Sequence, residues 1–497
     1  MGAGTDLSEY LKNAIEPEQL ARRIAASSLI QLHAAHAATD PGWTERVERA
    51  FQEVTGLEWH DGLTKGSLPA YYAQGAPGEG KTTAFKIACK LMGSALKLNV
   101  LWDPPTDQLA AASSLENALV FISENLAGQS SLIDVGGIPD VDDITIAGDT
   151  VKAQVKRCRH SFHVAARAKV AMVLFDDISN AYPAVQDTML SIAEERKFQD
   201  LKISSSTLLG YTGNLGAADG TNAMKTSGAL RTRVRMFAVQ DNPVAWADRV
   251  SAMFAKSDLG DGGLSGFMRS HGAELFRTHP PKTGPDATRP YPCPRTWSKL
   301  IPEARFFTYQ MKQHQETGRP GFWEMLGYDD PFKYLLDSAS AIVGPAAAET
   351  YSNYVMVAML TAEPIAEELI SARDLSPESA ALLQKNLGDA RNSREVDFAN
   401  QFLLAVGAKI STLVLASSQP IATLRQLAPM FGRACYELAR MPSGSVALAV
   451  TDLGTRLQAN PLFCDDRAAD VLSAEATDTI VHALKASAKQ AGTILDV

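Results

Sequence analysis

Gly75-Ala76-Pro77-Gly78-Glu79-Gly80-Lys81-Thr82 fits the phosphate-binding pattern G-x-x-x-x-G-K-S/T. The preceding stretch, Leu68-Pro69-Ala70-Tyr71-Tyr72-Ala73, is apolar and aromatic and reads as a strand. The following stretch, Thr83-Ala84-Phe85-Lys86-Ile87-Ala88, opens a helical pattern. Strand, glycine loop, helix is the context that turns the pattern into a site. Glycines let backbone N–H groups turn inward, and a helix N-terminus adds partial positive charge. Gly75, Ala76, Pro77, Gly78, Glu79 and Gly80 then wrap the phosphates, with Lys81, Thr82 and Thr83 closing the loop. Lys81 reaches the β- and γ-phosphates and the Thr82 hydroxyl ligates Mg²⁺. The expected cofactors are therefore ATP or ADP with Mg²⁺.

Outward from the loop, strand and helix patterns alternate between about 66 and 240, as a parallel α/β sheet requires. Candidate strands are 69–74, 97–102, 118–122, 170–175, 206–212 and 234–239. Residues 131–140 are turn-rich, 144–151 read as a short hairpin, and a second hairpin is expected near 197–206. Residues 1–65 read as helices carrying Leu20, Ile24, Leu29, Ile30 and Leu32, then Val47, Phe51 and Val54, with a stop near Gly56. This is a helical cap or interaction arm. Residues 241–360 read as mainly helical, with a Pro-rich loop over 279–294. Residues 361–497 read as helices throughout, and Ser376-Pro377-Glu378 is a helix start with Ser as N-cap. Leu382, Leu383, Phe402, Leu403, Leu404, Leu413 and Leu415 are their expected core.

The chain has 497 residues, enough for about three domains by length alone. Hydrophobic residues are 45% and charged residues 21%, an ordinary globular balance. No apolar run is long enough for a membrane span, and the N-terminus lacks the basic stretch and apolar core of a secretory signal. Cytoplasmic residence and no membrane partner are expected. The five cysteines are scattered without a C-x-x-C pair, so no disulfide framework or zinc site is indicated. His160 and His163 sit three apart, but no Cys or carboxylate pair completes a metal set. A net charge of −9 argues against a chain built throughout as a non-specific nucleic-acid binder.

Val170-Ala171-Met172-Val173-Leu174-Phe175-Asp176-Asp177 is an apolar strand ending in two carboxylates. Ligands of parallel sheets sit beyond the strand C-termini. Asp176 is thus a candidate Mg²⁺ ligand, and Asp177 a candidate for orienting and deprotonating a water. On its own the pair equally fits a helix cap or a strand-end turn.

With these segments in place, the chain resembles the AAA+ ATPases, and specifically their MoxR-like branch, over roughly 65–360. The octapeptide matches that branch's G-x-P-G-x-G-K-T form. Asp176-Asp177-Ile178-Ser179-Asn180-Ala181 resembles its D-E-I-N-x-A segment, continued by Pro183-Ala184-Val185-Gln186-Asp187-Thr188-Met189-Leu190 and Glu194-Glu195-Arg196. Leu209-Gly210-Tyr211-Thr212-Gly213-Asn214 resembles the sensor 1 strand. Ala229-Leu230-Arg231-Thr232-Arg233-Val234 resembles the arginine-finger stretch, and Tyr291-Pro292-Cys293-Pro294-Arg295-Thr296-Trp297 the P-R-T-W stretch of sensor 2. Asp134-Val135-Gly136-Gly137-Ile138-Pro139 resembles the D-x-x-G-x-P turn of relatives in bacteria and their phages.

The resemblance implies an α/β P-loop domain at 66–240, a helical lid at 241–360, and helical extensions at 1–65 and 361–497. It implies that Asp177, Asn214, Arg233 and Arg295 are catalytic: Asn214 on the water or γ-phosphate, Arg233 from a neighbouring subunit, and Arg295 in cis. Arg231 and Arg235 stand close enough to Arg233 to compete for the finger role. A homo-oligomeric ring, a hexamer, follows, with a protein client.

The family has Glu where this chain has Asp177. Aspartate is one methylene shorter, which sets its carboxylate about an ångström back and costs about 10²-fold in rate unless water bridges the gap. A slow, nucleotide-gated scaffold is therefore one alternative. A DNA-acting motor or loader is another, because Lys152, Lys156, Arg157 and Arg159 follow the first hairpin and Arg167 and Lys169 precede the acidic strand. A solvated helix face is the plainer reading of that basic stretch.

Overall fold

The computed structural model describes residues 13–457 except 65–69, 106–114, 128–137, 147–148, 158–162, 164, 166, 199–200, 217–220, 222, 225, 258, 279–287, 358–361, 373–374, 387–392, 438–448, 451–452 and 455. The chain divides into two compact units, Met1–Asp241 and Asn242–Val497.

The first unit opens with two helices, α1 (Pro17–His36) and α2 (Pro41–Thr55). Proline stands at the start of each. The Asp40 side chain accepts the Trp43 N–H at the head of α2, and Gly56 at φ 73° ends it. Strand β1 (Ala70–Gln74) runs into the glycine loop and helix α3 (Lys81–Ala95). Then come β2 (Asn99–Trp102), β3 (Ala118–Asn125), the hairpin β4 (Ile138–Ile146) and β5 (Asp149–Arg157), and β6 (Val170–Asp176). Helix α4 (Pro183–Glu195) leads to the short hairpin β7 (Lys197–Phe198) and β8 (Leu201–Lys202). Strand β9 (Thr207–Gly213), the single turn α5 (Gly228–Arg231) and β10 (Val234–Ala238) close the unit.

Six strands form one sheet in the order β10-β1-β9-β6-β3-β2, and every pairing is parallel. Ile15 adds a parallel bridge to Val239 beyond β10. The side-chain alternation of β6 explains its unbroken apolar run. Val170, Met172 and Leu174 face a core shared with α1, α2 and α3, while Ala171, Val173 and Phe175 face a second core with Val185, Met189 and Ile192 of α4. A parallel strand covered on both faces has no polar side to show. The N-terminal helices thus share the core of the sheet; they are not a detached arm. Helix α3 lies close on β9: a Cβ at Gly210 would stand 2.3 Å from the Phe85 ring.

The first hairpin is longer than the 144–151 expected from sequence. Pro139 and Asp140, Asp142 and Asp143 make 138–143 look like turn, yet these residues pair in register with β5 from Ile138↔Arg157 to Ile146↔Asp149. Proline is tolerated near the start of a strand in a two-stranded ribbon. Lys152, Lys156 and Arg157 therefore lie within β5, not on a helix after it. Arg159, His160, Cys158 and Cys464, and the turn residues 134–137, lie outside the described residues.

The second unit is helical among its described residues. Helices α6 (Pro243–Phe254), α7 (Leu264–Leu275), α8 (Pro294–Thr317), α9 (Phe322–Met325), α10 (Pro331–Val343) and α11 (Pro345–Val357) enclose an aromatic core around Trp246, Phe267, Trp297, Tyr351 and Tyr354. Helices α12 (Glu363–Ala372), α13 (Pro377–Asn386), α14 (Ser393–Ala416) and α15 (Pro420–Glu437) enclose a further core with Leu383, Phe402, Leu403 and Phe431. Ser376 accepts the Ser379 N–H at the head of α13. Leu382 and Leu413 are exposed, because helical spacing turns adjacent leucines to different sides. No described helix is long and apolar enough to cross a membrane.

Candidate nucleotide site

Three neighbouring strands, β1, β9 and β6, end side by side, and their ends carry the chemistry-bearing residues. The loop after β1 is shaped by its glycines. Gly80 has φ 78°, and a Cβ at Gly75 would lie 2.4 Å from the Val239 carbonyl oxygen. Gly75 N–H donates to the Gly213 carbonyl at 3.2 Å, which ties the loop to the tip of β9.

Lys81, the first residue of α3, is buried, and its ammonium points back into the loop. It donates to the carbonyls of Gly75 (2.7 Å) and Ala76 (2.8 Å) and to Asn214 Oδ1 (2.8 Å). Asn214 lies just beyond β9, and its Nδ2 donates to Asp177 Oδ1 at 3.1 Å. Its backbone N–H is held by Ser179 Oγ at 2.7 Å. One neutral amide thus faces both the loop lysine and the second strand-end carboxylate.

Asp176 ends β6. Its carboxylate accepts the Thr82 hydroxyl at 3.0 and 3.1 Å and the Thr212 hydroxyl on Oδ1. Asp177 follows at φ 57°, ψ 40°, a left-handed conformation, and its N–H donates to Thr212 Oγ1 at 2.9 Å.

The residues suit a magnesium–triphosphate group on their own chemistry. A hydroxyl and a carboxylate in contact are the hard oxygen donors that Mg²⁺ takes. The glycine positions are ones that a Cβ would fill or strain, and the loop lysine is turned toward them.

Other expected residues are placed differently. Glu79 is buried and its Oε2 accepts the Asp241 N–H at 2.8 Å, so its side chain braces the loop. Thr83 is exposed on the first turn of α3. Arg233 follows α5; its Nε donates to Glu194 Oε2 at 2.6 Å and its Nη1 to the Ala229 carbonyl at 3.0 Å. Arg235 lies over the Tyr71 ring, 3.8 Å from its centroid, and donates to Ser27 Oγ at 3.1 Å. Half burial lowers its pKa. Arg231 is exposed at the end of α5. Arg295 is exposed on the first turn of α8 in the second unit, where the neighbouring Thr296 hydroxyl accepts the Cys293 N–H at 2.9 Å.

Three residues make contacts at the site that the motif segments containing them do not assign. Thr212 sits inside the strand already noted, and period-2 alternation is its signal: it shares the side of β9 that puts Gly210 under Phe85 of α3. Ser179 and Glu194 carry no signal of their own, because their contacts cross from one segment to another.

No family model matches the chain, and no curated protein matches it. Among solved structures, a mutant RuvB from Thermotoga maritima matches over 70% of this chain and 82% of that chain, at 13% identity and a TM-score of 0.27. The α/β reading rests on the sheet order and on the residues at the strand ends.

Proposed function

We propose that this chain is a Mg²⁺-dependent AAA+ ATPase of the MoxR-like branch, working as a homo-oligomeric ring, a hexamer, that remodels or assembles a protein complex. The observation that carries the ATPase reading is the bonded set Lys81, Asn214, Asp177, Thr212, Asp176 and Thr82 at three adjacent strand ends. Bound Mg²⁺ supplies charge neutralisation at the phosphates. Thr82 and Asp176 hold it, and Lys81 binds the phosphate oxygens. Asp177 takes a proton from a water that Asn214 orients. Arg233 serves a neighbouring subunit's nucleotide, where an arginine is worth roughly 10³–10⁵-fold in turnover. Arg295 is assigned to the nucleotide of its own chain.

The DNA-acting reading loses support at the hairpin. Beside the three cations Lys152, Lys156 and Arg157, the two strands also carry Asp140, Asp142, Asp143 and Asp149, with Asp143 directly across from Lys152. Phosphate binding depends on a surplus of cations, and counted over both strands the hairpin carries three cations against four carboxylates. The slow-scaffold reading keeps one observation in its favour: the short Asp177 carboxylate is engaged by Asn214.

The test is ATP hydrolysis with and without DNA, alongside the mass of the assembly with and without ATP. Hydrolysis with an ATP-dependent ring and no DNA response is expected. Strong stimulation by DNA overturns the protein-remodelling reading, and a ring that never hydrolyses establishes the scaffold. An Arg233→Ala variant that hydrolyses at the parent rate removes the finger assignment.

A further inference from the structure

Thr212 is fully buried at the end of β9 and makes two bonds with opposite roles. Its hydroxyl donates to Asp176 Oδ1, and its oxygen accepts the Asp177 N–H at 2.9 Å. The two bonds form one chain from the backbone of Asp177, through a single hydroxyl, to the carboxylate of Asp176. A hydroxyl that donates to a charge becomes a better acceptor, so each bond strengthens the other.

Both partners need holding. Asp176 is fixed from one side by Thr82, on the first turn of α3, and from the other by Thr212. Asp177 adopts φ 57°, where L side chains are uncommon. Its short side chain has few torsions of its own, so its backbone decides where the carboxylate goes. That backbone is tied by the N–H bond to Thr212, and the carboxylate it aims meets Asn214 Nδ2.

We propose that Thr212 is a positioning residue that sets both strand-end carboxylates: it orients Asp176 toward the metal and holds Asp177 in the left-handed turn that points its carboxylate at Asn214. The role rests on the nucleotide-site reading above and adds a residue to it. Valine has the same shape as threonine and suits a buried strand, so Thr212→Val removes the hydroxyl and little else. The Asp177 N–H then loses its acceptor, and Asp176 loses one of its two hydroxyl donors.

The experiment uses the full chain with Thr212→Val, Thr212→Ser and Thr212→Ala. Binding of a fluorescent ATP analogue is titrated in Mg²⁺ and in EDTA, and binding of Mn²⁺ with a non-hydrolysable analogue is followed by electron paramagnetic resonance. Affinity in EDTA is expected to stay within about twofold of the parent. The gain in affinity on adding Mg²⁺, and the Mn²⁺ affinity itself, are expected to fall about 10–100-fold in Thr212→Val, the usual cost of losing a residue that orients a metal ligand. kcat is expected to fall over the same range with KM little changed, and Thr212→Ser is expected to restore all three. If Thr212→Val does not fold, Thr212→Ala carries the same test, with Thr212→Ser as the rescue. Parent-like Mg²⁺ gain and kcat in a folded hydroxyl-free variant overturn the proposal and leave the nucleotide reading standing. A parent chain that binds no ATP analogue, or a Lys81→Ala variant that binds it normally, overturns the nucleotide reading and this role with it.

Discussion

At the ends of β1, β6 and β9, buried and half-buried polar side chains join into one bonded set; in the helical second unit, buried polar side chains such as Asp261 and Ser352 satisfy backbone groups, and Arg269 makes an isolated pair with Asp248. Lys81, Asn214, Asp177, Thr212, Asp176 and Thr82 form one bonded set, and its charges converge on the loop. In the second unit, Asp261 accepts the N–H groups of Gly263 and Ser265 at the head of α7, and Ser352 donates to the Phe332 carbonyl. Polar groups that satisfy backbone contribute to stability, since an orphaned buried N–H or C=O is costly. Polar groups that satisfy each other while leaving a lysine and two carboxylates in one place do little for the fold that apolar residues would not do better. The contrast separates a part of the molecule that gathers charge in one place from a part whose polar groups serve its own packing.

The largest effect expected lies in the second unit. Trp297 is fully buried, ringed by Phe267 and Tyr351 at 5.4 and 6.4 Å between centroids, and its Nε1 donates to the Leu275 carbonyl at 3.0 Å. Trp297→Ala is expected to cost about 3–5 kcal/mol, read as a lower denaturant midpoint. It should leave ATP-analogue affinity in the surviving folded fraction near the parent value. Lys81→Ala is the mirror image. Turnover is expected to fall on the order of 10²–10³-fold, as when a single charged or polar stabiliser is taken from a reaction site. Thermal melting without nucleotide should change little, because loss of the buried ammonium is offset by the Gly75 and Ala76 carbonyls that lose their donor. If Lys81→Ala unfolds the chain as readily as Trp297→Ala does, the lysine is a structural strut and the contrast between the two parts collapses.

A finer version of the contrast concerns a helix cap. Asp330 accepts the Phe332 N–H at 2.9 Å at the head of α10, with Pro331 as the first helical residue. Asp330→Ala is expected to cost about 1 kcal/mol of stability, measured by denaturant unfolding, while Asp330→Asn retains most of it. Neither change should alter hydrolysis. A cap substitution that lowered kcat at constant stability would show that the second unit's polar groups serve chemistry after all.

The legible part of this chain was local. The octapeptide, its flanks and the apolar run into Asp176 are contiguous, so the order of residues nearly fixes their geometry, and the strands at 70–74, 99–102, 170–176, 207–213 and 234–238 fall where alternation and turn residues put them. What escaped depends on register. Thr212 meets Asp176 only because β6 and β9 pair with Phe175 opposite Tyr211, which no local pattern reveals. Glu194 meets Arg233 across 39 positions. Proline and aspartate at 139–143 signal turn, whereas cross-strand partners keep those residues extended and lengthen the hairpin. The composition of their segments points Leu382 and Leu413 to the core, and their helical phase turns them outward.

The smallest effect tests whether polar pairing in the first unit but away from the strand ends behaves structurally. His36, in the last turn of α1, has Nε2 2.8 Å from Ser206 Oγ and lies edge-on to Trp43 at 6.0 Å. Burial lowers its pKa, and nearby Lys169 lowers it further, against an opposing pull from Asp40. In the unfolded chain a histidine titrates near 6.5. The folded chain therefore resists a proton that the unfolded chain accepts below that pH, and its stability falls as pH drops from about 6.5 toward the lowered folded value. The melting temperature is expected to decline between pH 7.5 and 5.5. His36→Asn should flatten part of that decline at a small cost at pH 7.5, with hydrolysis per folded molecule unchanged. A pH response identical in parent and variant would remove His36 as its source; a change in kcat would extend the strand-end network across the sheet as far as α1.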